Sequence, residues 1–594
     1  MKLSDFVAQF IANQKVKQVF LLPGGGNMHI VDSMGKHAGI ETVAVLHEQA
    51  ASIAADGYAQ ASGNLGVALV TTGPGGTNAI TGVTGSWIES VPVMIISGQV
   101  KRPDLKPSAD MRMLGFQEID IVKIVSSITK YAVTITEPNE ILFHLEKAVF
   151  LAISGRPGPV WIDIPLDVQA TDIDEKSLKG FTPPIGIISC NNEVEAALKI
   201  IMASKRPVVL AGNGIRLSGK TELFIKVVEK LGIPILTTWK ASDLLDENHP
   251  LFYGRPGTVA QRGANFIQQN SDCIISLGCR LDFGQIGYAQ ETFAREAKKI
   301  IVDIDPMEFQ KFRFEIDVKI IANVADFLIE LEKQIANYST PDLSEWMNRC
   351  LVWKTRYPVV VQEYRDKKEY VSTYILVEEV SKQCVAQDVI VPCSSGSGAD
   401  ITSQTLKVKK GQRVLNSPGL GSMGFGLPQS IGACIATGKR TICLNGDGGF
   451  QLNIQELETI KRMNLPIVFF YLNNQGYLSI KVSQINYFEG RLVATDASSG
   501  LTLPDIQKIA YAYGIKSNKI SNQSELEKGV REALDSKGPF ICEVMIDPEE
   551  RVSPKVSSAI GANGKMVSKP LEDLSPFLSR EEFLENMIVK PLED

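Results

Sequence analysis

Long apolar runs and basic tracts are both missing from this chain of 594 residues. No apolar run reaches the roughly 18 residues that a membrane-spanning helix needs, and the amino-terminal stretch is amphipathic without a small-residue cleavage site. Acidic residues outnumber basic ones by 67 to 61, and no lysine- or arginine-rich tract suggests a nucleic-acid groove. We therefore expect a soluble, cytoplasmic protein whose partners include neither nucleic acid nor a membrane.

Residues suited to a transition-metal centre or a disulfide framework are also scarce. The nine cysteines include no C-x-x-C pair, and most lie in apolar stretches where buried thiols are expected. Only five histidines are present, and no two have the i, i+4 spacing of metal ligands on a helix. Catalysis must therefore depend on other side chains.

What the chain does contain is a regular alternation of β-rich runs with helical patterns. Runs such as QVFLL, VALVT, CIISLG and PIVFFYLNN alternate with amphipathic segments, which predicts parallel sheets with helices on both faces. Polar or proline-containing seams at 180–196 and about 335–370 separate the blocks. We predict an α/β fold with three doubly wound domains, 1–178, 190–335 and 370–547, and an extended carboxyl-terminal tail, 548–594.

One acidic residue, Asp447, lies between glycines in NGDGGFQLNIQEL, directly after the apolar run TICL. A helical pattern and the strand LPIVFFYLNN follow, so Asn474 should lie beside Asp447 at the carboxyl edge of a parallel sheet. A carboxylate, an amide oxygen and a loop carbonyl, here that of Gly476, are hard ligands suited to Mg²⁺. Taken alone, G-D-G is more typical of an ordinary turn.

The glycines around Asp447 would let a diphosphate approach the backbone closely, with the amino terminus of the following helix directed at it. These glycines are Gly446, Gly448 and Gly449.

The GDG motif and its spacing to the asparagines resemble the cofactor motif of thiamine diphosphate-dependent enzymes. The resemblance implies that Asp447, Asn474 and the Gly476 carbonyl hold Mg²⁺ against the diphosphate of thiamine diphosphate. It also implies a glutamate in the first domain that hydrogen-bonds N1′ of the aminopyrimidine, and HEQAASIAADGYA supplies Glu48. For an isolated glutamate, a first-turn position favoured by the helix dipole would be the better explanation.

A glycine-rich segment, TTGPGGTNAITG, is similar to the family segment that contacts the cofactor. It offers Pro74 and Asn78 as cofactor-binding residues. Its glycines also suit a tight connection between a strand and a helix, and both interpretations are compatible.

Over roughly residues 1–547, phrases such as LPGGGNMHIVDSM, SVPVMIISGQV, GFQEIDIV and PGLGSMGFGLPQSIGA resemble the acetohydroxyacid synthase (acetolactate synthase) branch of this family. Met423 would then be an apolar wedge under the cofactor, although a core position is the simpler interpretation of a methionine. The residues that this resemblance implies near the reacting centre are Gln99, Phe116, Gln117 and Lys130. Without the resemblance, Lys130 would be a solvated lysine at a helix end.

Members of this branch usually bind FAD in the middle domain. The positions that match parts of that site are Gly212, Gly214, Gly257, Arg280, Asp303 and Asp305. Other parts differ, because Ser126 stands where an arginine is common, Asn323 replaces a usual aspartate, and RLDFGQIGY diverges. FAD binding and glycines kept only for packing both stay open.

The segment after the asparagines differs most from the branch. Acetohydroxyacid synthases have a methionine- and tryptophan-containing helix that selects the acceptor, whereas this chain reads YLSIKVSQINYFEGR. The tail resembles the ends of acetolactate synthase-like proteins that accompany surface-sugar biosynthesis. A tail that covers the cofactor entrance and a tail that ties subunits together both fit its composition.

We therefore expect a thiamine diphosphate- and Mg²⁺-dependent carboligase that decarboxylates a 2-oxo acid such as pyruvate. The acyl-anion equivalent would pass to a second carbonyl, in a 2-oxo acid, an aldehyde or a keto-sugar. One alternative is a simple 2-oxo acid decarboxylase, and another is a non-catalytic cofactor-binding or regulatory protein. The resemblance implies a homodimer or homotetramer with shared active sites.

Overall fold

Three six-stranded sheets, each with parallel pairing throughout, form the framework of the protein. The computed structural model describes residues 1–108, 110–184, 186, 189–560 and 566–592. The α/β fold with three parallel sheets is therefore confirmed.

The first sheet has the strand order β2-β1-β3-β4-β6-β5. Its strands are β1 Gln18–Leu21, β2 Glu41–Ala44, β3 Gly66–Val70, β4 Val93–Gln99, β5 Tyr131–Thr134 and β6 Val160–Pro165. The accompanying helices are α1 Leu3–Asn13, α2 Met28–Lys36, α3 Glu48–Ser62, α4 Pro74–Ile88, α5 Ile121–Val125, α6 Ile141–Ile153 and α7 Leu166–Ala170. Strands β3, β4 and β6 are buried along their whole length, as continuous apolar runs covered on both faces require.

The second sheet has the order β12-β11-β10-β7-β8-β9. Its strands are β7 Pro207–Ala211, β8 Ile235–Thr237, β9 Phe252–Gly254, β10 Cys273–Leu277, β11 Lys298–Asp303 and β12 Val318–Ile321. The helices are α8 Asn191–Ala203, α9 Gly214–Leu217, α10 Thr221–Leu231, α11 Arg262–Gln269, α12 Phe283–Ile286, α13 Val324–Gln334, α14 Ser344–Arg356 and α15 Gln362–Arg365.

The third sheet has the order β14-β13-β15-β16-β18-β17. Its strands are β13 Val389–Val391, β14 Arg413–Val414, β15 Thr441–Gly446, β16 Ile467–Asn473, β17 Lys516–Ile520 and β18 Phe540–Met545. The helices along this part of the chain are α16 Thr373–Gln383, α17 Ser397–Thr405, α18 Gly426–Thr437, α19 Asp447–Phe450, α20 Leu457–Arg462, α21 Leu478–Tyr487, α22 Ile506–Ala512 and α23 Leu526–Leu534.

The chain forms two compact units that interleave along the sequence. The first comprises Met1–Ile185, Gln387–Ala399 and Arg413–Pro548, and the second comprises Gly186–Ala386, Asp400–Gln412 and Glu549–Asp594. The first and third sheets therefore share one unit, and the predicted domain boundaries stay predictions. Among the described residues, no helix is both long enough and apolar enough to cross a membrane.

The tail has more structure than the sequence pattern predicted. It contains an antiparallel pair, β19 Ser558–Ile560 and β20 Met566–Ser568, and a last helix, α24 Arg580–Asn586. Arg262 on α11 donates hydrogen bonds to the carbonyls of Leu574 at 3.1 Å and Pro576 at 2.6 Å. The tail is thus an integral part of the second unit.

Helices α3 and α18 join the first and third sheets at backbone distance. A Cβ at Gly57 would lie 2.3 Å from the carbonyl oxygen of Gln429, and one at Gly432 would lie 1.9 Å from that of Ala54. Only glycine permits this approach. The contact fixes α3, whose first residue is Glu48, against the third sheet.

Candidate active site at the carboxyl ends of the strands

The topology of the third sheet indicates where a ligand would bind. From β13 the chain first passes to β14 on one side and then to β15 on the other, so the strand order reverses between β13 and β15. In doubly wound sheets, ligands bind outside the carboxyl ends of the strands at such a switch point. The loops at this point are 392–396 and the turn that begins at Gly446.

Asp447, Asn474 and Gly476 come together beside this switch point. Strands β15 and β16 are paired neighbours, with Gly446 opposite Leu472, so Asp447 and Asn474 follow adjacent strand ends. The Asp447 carboxylate accepts hydrogen bonds from the Gly448 N–H at 2.7 Å and the Gly476 N–H at 3.1 Å. This geometry is the one that the sequence spacing predicts.

Asp447 is buried, and burial raises the pKa of its carboxyl group to about 7, although the backbone N–H donors lower it. A nearby cation would favour the charged carboxylate. The side chain therefore suits a site that holds a divalent ion.

Three buried polar atoms near this edge have no hydrogen-bond partner among the described residues. They are Ser394 Oγ, just after β13, Asn445 Nδ2, near the end of β15, and Asn474 Oδ1, just after β16. Each such group costs about 1–3 kcal/mol when unsatisfied, so their occurrence at three adjacent strand ends indicates a polar ligand. Within the described ranges no three His, Cys, Asp or Glu side chains cluster as metal ligands.

The glycines of the GDG motif meet different neighbours. A Cβ at Gly446 would meet nothing within 4 Å, whereas one at Gly448 would lie 2.2 Å from the ring of Tyr477. One at Gly449 would lie 3.9 Å from Met423. Because 39% of Met423 is exposed beside this loop, Met423 is not an ordinary core residue.

The predicted helix after Asp447 is interrupted. Helix α19 has only four residues, and Asn453 adopts a non-helical backbone conformation before α20 begins. The side chain of Asn453 donates from Nδ2 to the Gly424 carbonyl at 2.8 Å, a contact with a segment 29 positions earlier in the chain. A one-turn helix contributes less dipole than the sequence pattern suggested.

Glu48 begins α3 and is buried, with 6% of its surface exposed. Its carboxylate accepts a hydrogen bond from Asn78 Nδ2 at 3.0 Å. Asn78 lies on α4, which Pro74 opens after Gly73, whose φ is 64°. The two segments that the sequence singled out in the first domain therefore meet at one carboxylate.

The segment of Glu48 also contacts the chain that follows Asp447. The Leu46 N–H donates to the buried Glu456 carboxylate at 2.9 Å, across 410 positions of sequence. Asn453 approaches Gln49 at 3.5 Å. Two hydrogen bonds thus join the segment around Glu48 to the segment that follows Asp447 within a single chain.

Gln99 and the residues Phe116 and Gln117 lie at the carboxyl edge of the first sheet. Gln99 ends β4, and its Nε2 donates to the Ile119 carbonyl at 3.0 Å and to Asp163 at 3.1 Å. Phe116 is 83% exposed. A Cβ on Gly73 would lie 2.5 Å from the Gln117 carbonyl oxygen, so Gln117 rests on the turn before α4.

Lys130 is not brought to this edge. Lys130 directly precedes β5, and the first residue of β5 pairs with the first residue of β6. Gln99, in contrast, pairs with the last residue of β6. The ammonium group of Lys130 donates to the carbonyls of Ser154 at 2.6 Å and Arg156 at 2.7 Å. Lys130 therefore ties down the end of α6 at the amino edge of the sheet, opposite Gln99.

Two of the glycines proposed for FAD pack backbone against backbone. In the second sheet the strand order reverses between β7 and β10, and Gly212 and Gly214 follow β7 while Gly278 follows β10. A Cβ atom on Gly212 would lie 2.2 Å from the carbonyl oxygen of Gly278. A Cβ atom on Gly214 would lie 2.6 Å from the Cα of Gly278. Close packing alone is a sufficient reason for these glycines.

The other positions proposed for FAD also have contacts within the chain. Gly257 has a φ of 143° and lies close to the carbonyl of Gly284. Arg280 pairs with Asp282 at 2.8 Å. Asp303 accepts from the Asp305 N–H at 2.9 Å, and Asp305 caps the next turn through the Met307 N–H at 3.0 Å.

Sequence reasoning missed the loop after β13. Its serines, Ser394 and Ser397, lie at the switch point, and Ser397 N–H donates to Ser479 Oγ at 3.1 Å. The available signal was the Gly- and Ser-rich stretch CSSGSG directly after the strand VIVP.

Comparison with known proteins agrees with this geometry. Three models of the thiamine pyrophosphate enzyme family match the chain: the N-terminal TPP binding domain over residues 1–124, the central domain over 194–331 and the C-terminal TPP binding domain over 395–544. The chain belongs to the thiamine pyrophosphate enzyme family. It is thus a thiamine diphosphate-dependent enzyme, as the sequence motifs predicted.

Within this family the chain is similar to acetolactate synthase large subunits over nearly its whole length. It is 34% identical to the probable acetolactate synthase large subunit of Methanococcus aeolicus, with 93% of each chain covered. It is 30% identical to the acetolactate synthase isozyme 2 large subunit of Escherichia coli K12, with 96% of this chain and 100% of the relative covered. The predicted acetolactate synthase-like branch is therefore confirmed.

Proposed function

We propose that the protein is a carboligase that decarboxylates a 2-oxo acid, with pyruvate as the first candidate, and joins the remaining acyl unit to a second carbonyl. The observation that carries this proposal is the buried Glu48–Asn78 pair in the same unit as the Asp447 edge. Similarity to acetolactate synthase large subunits favours ligation over simple decarboxylation. When bound, thiamine diphosphate supplies a nucleophilic carbon and an electron sink.

Glu48 would hold a proton at N1′ of the aminopyrimidine, and Asn78 would keep the carboxylate oriented. A group that only occupied a helix start would not need to be buried and hydrogen-bonded by a neighbouring helix. The pair also argues against a non-catalytic binding protein, because cofactor binding alone does not require this glutamate.

Mg²⁺ would be held by Asp447, by Asn474 Oδ1 and by the Gly476 carbonyl. The unpartnered, buried Asn474 Oδ1 and the raised pKa of Asp447 support this assignment. Oxygen ligands of this kind suit a hard cation that keeps positions for phosphate oxygens and water. Gly446 and Gly449 would leave space for the diphosphate, and Ser394 would offer it a hydroxyl donor.

The residues that would contact the substrates are Phe116, Gln117 and Met423. The acceptor stays open between a 2-oxo acid and a keto-sugar or aldehyde. Helix α21 leaves this choice open, because it lacks the methionine and tryptophan expected of acetohydroxyacid synthases. Its first turn places Ser479 against the serine loop after β13.

Product analysis tests the function directly. Labelled pyruvate would be supplied with a panel of acceptors, and mass spectrometry would identify the labelled product. A ligation product that needs both substrates is expected. Labelled acetaldehyde with every acceptor would instead identify a simple decarboxylase, and no CO₂ release from any 2-oxo acid would refute catalysis.

The glycines of the second sheet would serve packing rather than FAD. The contacts of Gly212 and Gly214 with Gly278, and the Arg280–Asp282 pair, support this choice. The visible absorption spectrum of the purified protein, recorded before and after denaturation, should lack flavin bands. Stoichiometric flavin would overturn this part of the proposal.

The protein would act as a homodimer or homotetramer. The exposure of Phe116 and of the apolar residues around it is consistent with an assembly that covers this edge. Light scattering coupled to gel filtration would give the mass of the active species, and an active monomer would contradict the proposal.

A further inference from the structure

A tight turn at residues 115–118 presents Phe116 and Gln117 at the edge of the first sheet. The Glu118 N–H donates to the Gly115 carbonyl at 3.2 Å, so Phe116 and Gln117 occupy the two central positions. Gln117 has a φ of 63°, a left-handed conformation that favours glycine or asparagine. Such backbone strain persists only where the surrounding structure imposes it.

The side chain of Glu118 imposes this conformation from inside. Glu118 is buried, and its Oε1 accepts from the Lys106 N–H at 2.7 Å. Its Oε2 accepts from the Leu114 N–H at 2.8 Å and the Gly115 N–H at 3.4 Å. The Glu118 carboxylate thus adds side-chain hydrogen bonds to the backbone hydrogen bond of the turn, and it also connects the turn to the backbone at Lys106.

A second anchor holds the far end of the turn. Gln99 Nε2 binds the Ile119 carbonyl, and the same nitrogen donates to Asp163. Asp163 is fully buried and also accepts from Ser97 at 2.5 Å and Thr134 at 3.0 Å. The carboxamide of Gln99 is therefore engaged with the protein, which distinguishes it from a group that binds substrate.

The usual distribution of side chains is reversed in this loop. The acid Glu118 is inside, whereas Met113, Leu114 and Phe116 are 54%, 52% and 83% exposed. An apolar edge held on a fixed backbone is typical of a binding surface. Gln117 rests on Gly73, which precedes the helix that carries Asn78, so this edge adjoins the residue that binds Glu48.

We propose that Glu118 is a positioning residue: it holds the strained turn so that Phe116 and Gln117 meet the substrate in one conformation. Gln99 acts with it by fixing Ile119. This inference rests on the proposed function, because it takes Phe116 and Gln117 to be the residues that contact substrate.

The test compares Glu118→Ala and Glu118→Gln with the wild type. Alanine removes the acceptor for all three backbone N–H groups, those of Lys106, Leu114 and Gly115. Glutamine keeps one acceptor oxygen but places its NH₂ group, a donor, against a backbone N–H. Hydrogen exchange at the Leu114 and Gly115 amides should be faster in both variants than in the wild type. The loss of protection should be larger in Glu118→Ala than in Glu118→Gln. KM should rise about tenfold in Glu118→Ala with kcat changed less than about twofold, since uniform binding is lost.

Glu146→Gln is the matched control, because Glu146 also accepts a backbone N–H, that of Phe181 at 2.6 Å, but lies on α6 away from the turn. It should leave both the amide protection of the loop and KM unchanged. Unchanged protection in Glu118→Ala would overturn the structural step, and lost protection with unchanged KM would overturn the positioning role. A wild type that ligates nothing would refute the proposed function instead, while the exchange measurement would still report on the turn.

Discussion

Asn78 donates a hydrogen bond of 3.0 Å to Glu48, thirty positions away on the neighbouring helix. The pair links the start of α3 to the first turns of α4, and both helices follow strands of the same parallel sheet. Since Glu48 is buried, the Asn78 amide supplies a hydrogen-bond donor that water does not provide there. The carboxylate is therefore preorganised by the fold.

We expect Glu48→Gln to reduce turnover by about 10²–10⁴-fold, because glutamine cannot exchange a proton with the aminopyrimidine. Fluorescence or circular dichroism titration with thiamine diphosphate and Mg²⁺ should still show binding. The control is Glu41→Gln, at an exposed position of β2, which should be fully active. Wild-type turnover by Glu48→Gln would remove Glu48 from the catalytic machinery.

For the metal site, we expect Asp447→Ala to weaken Mg²⁺-dependent binding of thiamine diphosphate by at least ~100-fold, and Asn474→Ala to weaken it by at least ~10-fold. Calorimetric titration with and without Mg²⁺ would measure both. Asn337→Ala, at an exposed asparagine, is the control. If Asn474→Ala bound the cofactor as tightly as this control, its amide oxygen would not be a ligand.

The contact between α3 and α18 makes a prediction about stability. Gly432→Ala should lower the free energy of unfolding by at least 1–3 kcal/mol, because the new methyl group would meet the Ala54 carbonyl oxygen at 1.9 Å. Gly35→Ala on α2 should change it by less than about 1 kcal/mol, since its Cβ would meet nothing within 4 Å. Denaturant titrations would compare the two, and equal effects would contradict the backbone packing.

Asp163 predicts a pH dependence of stability. Burial raises the pKa of its carboxyl group to about 7, although hydrogen bonds from Ser97, Gln99 and Thr134 lower it. The folded state then binds a proton that the unfolded state has lost above about pH 4, so this residue's contribution to stability falls as the pH rises from about 4 to about 7.

Asp163→Asn should remove that contribution to the slope. Between about pH 4 and about pH 7, the free energy of unfolding of this variant should therefore fall less than that of the wild type. The difference between the two decreases should be of the order of a few kcal/mol. Parallel slopes in the two proteins would show that Asp163 is ionised throughout.

Local sequence order predicted the proximity of Asp447 and Asn474. Asp447 and Asn474 follow consecutive strands joined by one helical segment, and such strands are neighbours in a parallel sheet, so their proximity needed no further information. Ser394 could not be found this way, because β13 is separated from β15 by β14 in sequence. Only the strand order makes β13 and β15 adjacent.

The first sheet shows the same limit in its side chains. Resemblance grouped Gln99 with Lys130, but the register of β4, β5 and β6 puts them at opposite edges, and the Lys130 ammonium group binds carbonyls after α6. The sequence names a side chain's chemistry, whereas the tertiary structure decides which of several donors and acceptors it meets. The engagement of Gln99 with Asp163 is such a case.

The sequence by itself determined the class of fold and the family, and it singled out Glu48, Asp447 and Asn474 as candidates, because apolar periodicity and short motifs are encoded over a few tens of residues. The tertiary structure alone decided how Glu118 holds the turn of Phe116, which backbone oxygen excludes a side chain at Gly432, and which strands meet at the switch point. Those relationships depend on contacts between distant segments, whose distances and directions arise only when the sheets and helices have packed.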